Sequence, residues 1–190
     1  CGTASTIGRS WPSSRLNNED LPTFGLPTIA TRGTAESSTT STGAVPKDLV
    51  EPIDIGKAEI LAEGEDILIL AVGHCVTEAM NARQVLSEQN NISATVVNCR
   101  FVKPLDADLI EGLIKKIPRV VTIEENALHG GFGSAVLEAM ADRGVTDFRL
   151  TRLGIRDTFV THGAKEQLRA KYGVDAPAII SAAAALQENT

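Results

Sequence analysis

The residues best equipped for chemistry in this chain cluster in the run Glu124-Glu125-Asn126-Ala127-Leu128-His129-Gly130-Gly131-Phe132-Gly133-Ser134. Two acids and an amide stand where the pattern predicts a strand end, and glycines stand where it predicts a helix start. Glycine permits positive φ and close backbone approach, and a helix N-terminus draws an anion. The run therefore suits binding of a phosphate or carboxylate by backbone N–H groups. The alternative is a tight strand-to-helix junction that needs glycine for packing alone. Glu124 and Glu125 also have the residue type of a general acid/base pair. Neighbours on an extended segment point to opposite sides, so they share one site only if the chain turns there. Otherwise they are solvated carboxylates or caps of the following helix.

Arg100 precedes Phe101-Val102-Lys103-Pro104 at a second predicted strand end. Flanked by an aromatic and a rigid proline, its planar fork can meet a phosphate or carboxylate, or it can form a rim salt bridge with Glu124 or Asp106. Asp157 and His162 lie close enough in sequence to orient one another in a loop. Cys75, Cys99, His74, His129 and His162 match no compact zinc spacing, and the two cysteines read as small buried groups. No serine or cysteine sits in a nucleophile elbow, so no catalytic, cofactor or metal-binding residue is assigned. Gly131-Phe132-Gly133-Ser134-Ala135-Val136 imitates a dinucleotide-binding loop only in part. Val136 replaces the third glycine, and the run follows the third strand of the ordered region rather than the first.

The elements that position these residues are legible from about residue 51 onward. Residues 67–72 form a continuous apolar run, as in a parallel strand covered on both faces. Val76, Ala79, Met80, Ala82, Val85 and Leu86 recur at helical spacing. Residues 94–99 are short and rich in β-branched types. Leu105, Leu109, Ile110, Leu113 and Ile114 mark a second helix, with Asp106 placed to cap it. Strand 120–123, a helix with buried Phe132, Val136, Ala139 and Met140, strand 148–153 and helix 164–170 complete the series. This alternation predicts an α/β fold of three layers around an open, mostly parallel sheet. In such a sheet the carboxyl ends of the strands share one edge, where ligands bind. Arg100, Glu124, Glu125, Asn126, Asp157 and His162 fall on that rim.

Composition bounds the rest. A chain of 190 residues with a formal charge of −6 has no broad basic footprint for nucleic acid, and no apolar run approaches a membrane span. The three cysteines are sparse and suit a reduced, intracellular protein. Residues 1–50 read as an irregular or disordered arm, since the Ser/Thr-rich stretch 34–43 has too little apolar surface to offset the entropy of ordering. Residues 51–190 read as the folded domain. The start at Cys1 rather than Met suggests a processed product or part of something longer.

Four blocks carry a family resemblance. They are Asp54-Ile55-Gly56-Lys57-Ala58-Glu59, then Arg100-Phe101-Val102-Lys103-Pro104-Leu105-Asp106, then Val121 to Asn126 with Gly130 to Glu138, and last Leu153-Gly154-Ile155 with Asp157, Phe159 and His162-Gly163. In this order they resemble the C-terminal part of the 1-deoxy-D-xylulose-5-phosphate synthases. The Ile-Gly-Lys-Ala and Arg-x-x-x-Pro-x-Asp elements are shared across transketolase-like enzymes, and Glu-Glu-Asn followed by Gly-Gly-Phe-Gly points to the synthases. The resemblance implies a homodimeric enzyme using thiamine diphosphate and Mg²⁺ to decarboxylate pyruvate and join the two-carbon unit to glyceraldehyde 3-phosphate. That chemistry serves isoprenoid-precursor and thiamine biosynthesis in the cytoplasm, or in the plastid of a plant or alga.

It further implies that the metal, the diphosphate and the activating glutamate belong to earlier domains, and that the last domain binds no cofactor and supports the dimer. By the same resemblance Arg100 reaches the phosphate of the aldehyde substrate. Arg32-Gly33 matches the end of a Tyr-Pro-Arg-Gly segment with the same role, although Ala30-Thr31 replace the Tyr-Pro. Residues 1–50 would then include a remnant of the preceding pyrimidine-binding domain. The chain contains no Gly-Asp-Gly metal and diphosphate motif, so alone it should be inert. The alternatives are a non-catalytic assembly module that kept the domain, and the C-terminal part of a 2-oxo-acid dehydrogenase β chain.

Overall fold

A computed structural model describes residues 52–188, so the expectations for residues 1–50, the arm and Arg32 included, lie outside the described residues. The elements run β1 (Glu59–Ala62), β2 (Ile67–Ala71), α1 (Cys75–Asn90), β3 (Ala94–Asn98), α2 (Ala107–Ile114), β4 (Arg119–Ala127), α3 (Phe132–Asp142), β5 (Arg149–Ile155), α4 (Lys165–Tyr172) and α5 (Ala176–Glu188). The sheet order is β1-β3-β2-β4-β5. Strands β3, β2, β4 and β5 are parallel, and β1 adds an antiparallel edge, with Glu59 opposite Asn98.

Alternation along the strands makes the layers. Ile67, Ile69 and Ala71 of β2 face α1 and α5, packing with Ala79, Leu86, Ile179 and Ala183. Leu68 and Leu70 face the other way, toward Ile110 and Ile114 of α2 and Phe132, Val136 and Met140 of α3. The side-chain period of two in a strand produces this split, and burial on both faces explains why β2 lacks any polar residue. The three-layer, mostly parallel α/β architecture is thus the one the sequence implies. Asp106 caps α2 as anticipated, accepting from the Leu109 N–H at 3.4 Å.

Three elements depart from the sequence reading. Strand β1 was not anticipated, because its apolar run is only three residues long, Ile60-Leu61-Ala62, and Ile60 and Leu61 stay exposed. Helix α5 was not anticipated either, because half of its buried residues, Ala182 and Ala183, are alanine and leave a weak apolar stripe. Strand β4 continues past Ile123 to Ala127, with a register irregularity against β5 in that stretch, so Glu124, Glu125 and Asn126 belong to the strand. Among the described residues no helix is long and apolar enough to cross a membrane.

Candidate functional site

The carboxyl ends of the four parallel strands lie along one edge, and the chain reverses its direction of sheet growth between β2 and β4. Open α/β sheets bind ligands at this edge. Three polar clusters occupy it.

The first joins segment 56–59 to segment 98–106. Gly56 has φ +75°, and a Cβ there would lie 2.9 Å from Cγ of Pro104, so glycine is required both by conformation and by close approach. The Ala58 N–H donates to Asp106 Oδ2 at 3.1 Å, and Lys57 Nζ stands 3.7 Å from Asp106 Oδ1. Glu59, held opposite Asn98 by β1, receives Arg100 Nη2 on its Oε2 at 2.5 Å. Arg100 itself adopts φ +52°, with its N–H donated to Asn98 Oδ1 at 3.2 Å. The Ile-Gly-Lys-Ala and Arg-x-x-x-Pro-x-Asp blocks, more than forty residues apart in sequence, are therefore two sides of one seam. The ion-pair partner of Arg100 is Glu59 rather than Glu124 or Asp106. Asp106 is committed to Ala58 and α2, and Glu124 is turned away.

The second cluster surrounds Glu124. Its side chain is fully buried and accepts from the Phe132 N–H at 2.7 Å and the Gly133 N–H at 2.9 Å. The anion at the N-terminus of α3 is thus the protein's own carboxylate, which corrects the expectation of an open phosphate-binding turn and removes Glu124 from the solvent rim. A Cβ on Gly131 would meet both the Ala127 carbonyl and the Glu124 carboxylate at 2.3 Å. Arg152 Nη1 donates to the Leu128 carbonyl at 3.0 Å and to Ser134 Oγ at 2.9 Å, tying down the loop between. The glycine run is a packing junction.

Glu125 points to the opposite face, as adjacency on a strand requires, so the two acids share no site. It forms the third cluster with Arg169 of α4, whose Nε donates to Glu125 Oε1 at 2.6 Å and whose Nη1 lies 3.6 Å from Glu78 Oε1. Glu78 Oε2 in turn accepts from the Ala176 N–H at 3.1 Å at the start of α5. Sequence reasoning missed Arg169 and Glu78, since their partners are 44 and 98 residues away and no local pattern marks them. Beside this cluster a groove of about 190 Å³ runs between Ile155, Val160, Leu168 and Tyr172.

Asn126, Asp157 and His162 are exposed, and no hydrogen bond joins Asp157 to His162. Cys75 and Cys99 are buried, and burial pushes both thiols up to about 12, with Glu125 adding to the shift at Cys75 and Asp106 at Cys99. Neither is an activated nucleophile. Among the described residues no group of three or more His, Cys, Asp or Glu side chains could hold a metal ion.

Comparison with known proteins adds the family context. Residues 56–179 match the family model described as transketolase, C-terminal domain. The chain is 52% identical over 130 residues to 1-deoxy-D-xylulose-5-phosphate synthase 1 of Geobacter sulfurreducens, covering 68% of this chain and 20% of that protein. It is 46% identical over 145 residues to the 1-deoxy-D-xylulose-5-phosphate synthase of Desulforudis audaxviator, covering 76% and 23%. It spans about a fifth of the length of these relatives. Among solved structures it resembles one titled a split gene transketolase, inactive beta4 tetramer, with TM-score 0.66 and 30% identity over 72% of this chain and 44% of that one. A transketolase from Leishmania mexicana, 18% identical with TM-score 0.52 over 70% of this chain and 18% of that one, shares the fold.

Proposed function

Because the chain belongs to the transketolase C-terminal domain family, we propose that it forms the last domain of a 1-deoxy-D-xylulose-5-phosphate synthase. The observation that carries this reading is the 46–52% identity to synthases so named, against 30% to the split-gene transketolase. In this reading the complete enzyme condenses pyruvate with glyceraldehyde 3-phosphate and releases CO₂, supplying isoprenoid-precursor and thiamine biosynthesis. Thiamine diphosphate and Mg²⁺ supply the carbon–carbon chemistry and belong to the preceding domains, and the whole works as a homodimer.

This domain's contribution is binding and orientation. Arg100 stands at the carboxyl end of β3 with its guanidinium partly open to solvent, a suitable place to take the acceptor's phosphate. Binding energy from a group remote from the reacting carbon then aligns the aldehyde. Glu125, Asn126, Asp157 and His162 border the edge without an assigned step.

The test is an assay of the intact protein with pyruvate and glyceraldehyde 3-phosphate in the presence of thiamine diphosphate and Mg²⁺. One CO₂ released for each deoxyxylulose phosphate formed supports the reading. Transfer from a ketose phosphate donor without CO₂ release would assign a transketolase-type reaction instead, and no carboligation at all would leave an assembly module.

A further inference from the structure

We propose that Glu59 is a positioning residue that aims the Arg100 guanidinium at an anionic acceptor. The inference rests on the reading of Arg100 as a phosphate ligand and extends it to a side chain 41 residues earlier. The geometry carries it. Arg100 leaves β3 in the left-handed region, φ +52°, where only its backbone N–H is secured, by Asn98 Oδ1. Its long side chain has a single partner among the described residues, the Glu59 carboxylate, and meets it through Nη2 alone. A guanidinium has five N–H donors in a rigid fork, so this one-point contact fixes the direction of the fork while the remaining donors stay available.

The backbone on the Glu59 side is itself braced. Edge strand β1 holds Glu59 opposite Asn98, and the Ala58 N–H is tied to Asp106. The backbone that carries the carboxylate is thus held in place, and the ion pair orients the arginine against it. Glu59 is 40% exposed and Arg100 27%, so the pair is solvated and contributes little to stability. Its effect lies in the conformational freedom removed from Arg100 before the ligand arrives.

Kinetics of the intact protein test this with Glu59→Ala, Glu59→Gln, Arg100→Ala and the Glu59→Ala/Arg100→Ala double variant, each with a phosphorylated acceptor and its unphosphorylated counterpart. Glu59→Ala should raise KM for the phosphorylated acceptor roughly three- to tenfold with kcat essentially unchanged. The unphosphorylated acceptor should be unaffected. Glu59→Gln keeps an acceptor oxygen and should recover most of the loss. The double variant should be no worse than Arg100→Ala alone, since a residue acting only through Arg100 adds nothing once Arg100 is gone.

A lower KM in Glu59→Ala would show that the carboxylate competes with the ligand and would overturn the proposal. Equal losses for both acceptors, or additive losses in the double variant, would overturn it as well. If Arg100→Ala discriminates between the acceptors and Glu59→Ala does not, the Glu59 inference alone falls. If Arg100→Ala does not discriminate, the phosphate-ligand reading falls and takes this inference with it.

Discussion

Glu124 and Arg100 are both charged groups at strand ends, and burial separates what they do. Glu124 has no solvent exposure and spends its carboxylate on the first N–H groups of α3, whereas Arg100 keeps part of its guanidinium in water. Glu124→Ala removes two charge-assisted hydrogen bonds and leaves buried donors unpaired. It should therefore cost at least roughly 1.5–3 kcal/mol in urea unfolding. A loss within about 0.5 kcal/mol, the scale of a surface substitution, would show that water replaces the carboxylate at no cost. The thiols give a second prediction. With pKa values of about 12, Cys75 and Cys99 should resist alkylation at pH 8 in a Cys1→Ser variant until the protein is unfolded. Rapid labelling of the folded protein would contradict their burial. Adjacency in sequence was enough to separate Glu124 from Glu125, and helix capping was one of the open readings. The partner of Arg100 was hidden, because no local pattern links a residue to one 41 positions away.

At the scale of elements, strands β2, β3 and β4 and helices α1 to α3 were legible because large apolar residues recur at the periods of strands and helices. Helix α5 carries the same signal in a weaker form. Ile179, Ala182, Ala183 and Leu186 are its buried residues, at the spacing of one helical face, but alanine contributes little to an apolar stripe. Strand β1 gives no such signal, and its pairing with β3 is what places Glu59 beside Arg100. Helix α5 packs on α1, β4 and β5, with Ile179 fully buried in that layer of the core. Ile179→Ala should destabilise the domain by about 2–5 kcal/mol, read as a lower urea midpoint with unchanged m. A much smaller effect would place α5 outside the cooperative core.

At the scale of the whole molecule, the role proposed for this chain is acceptor binding within a larger enzyme, with the cofactor held elsewhere. The described residues offer no cluster for a metal ion, and the chain has no Gly-Asp-Gly motif. Titration of the 190-residue chain with thiamine diphosphate and Mg²⁺ in a calorimeter is expected to give no micromolar binding, and a saturable micromolar isotherm would overturn the division of labour. The fold was readable because short apolar strand runs alternate along the chain with segments of helix-spaced apolar residues. The seam between segments 56–59 and 98–106 was not, since it depends on an edge strand and a glycine–proline contact that only the folded chain brings together. The most direct test of the central claim is the ratio of kcat/KM for glyceraldehyde 3-phosphate to that for glyceraldehyde in the intact protein, before and after Arg100→Ala. Loss of a charge-assisted contact worth roughly 1.5–3 kcal/mol should lower kcat/KM for the phosphate ester about 10- to 150-fold and leave glyceraldehyde nearly unchanged. Equal losses for both aldehydes would contradict the claim and make Arg100 a structural partner of Glu59.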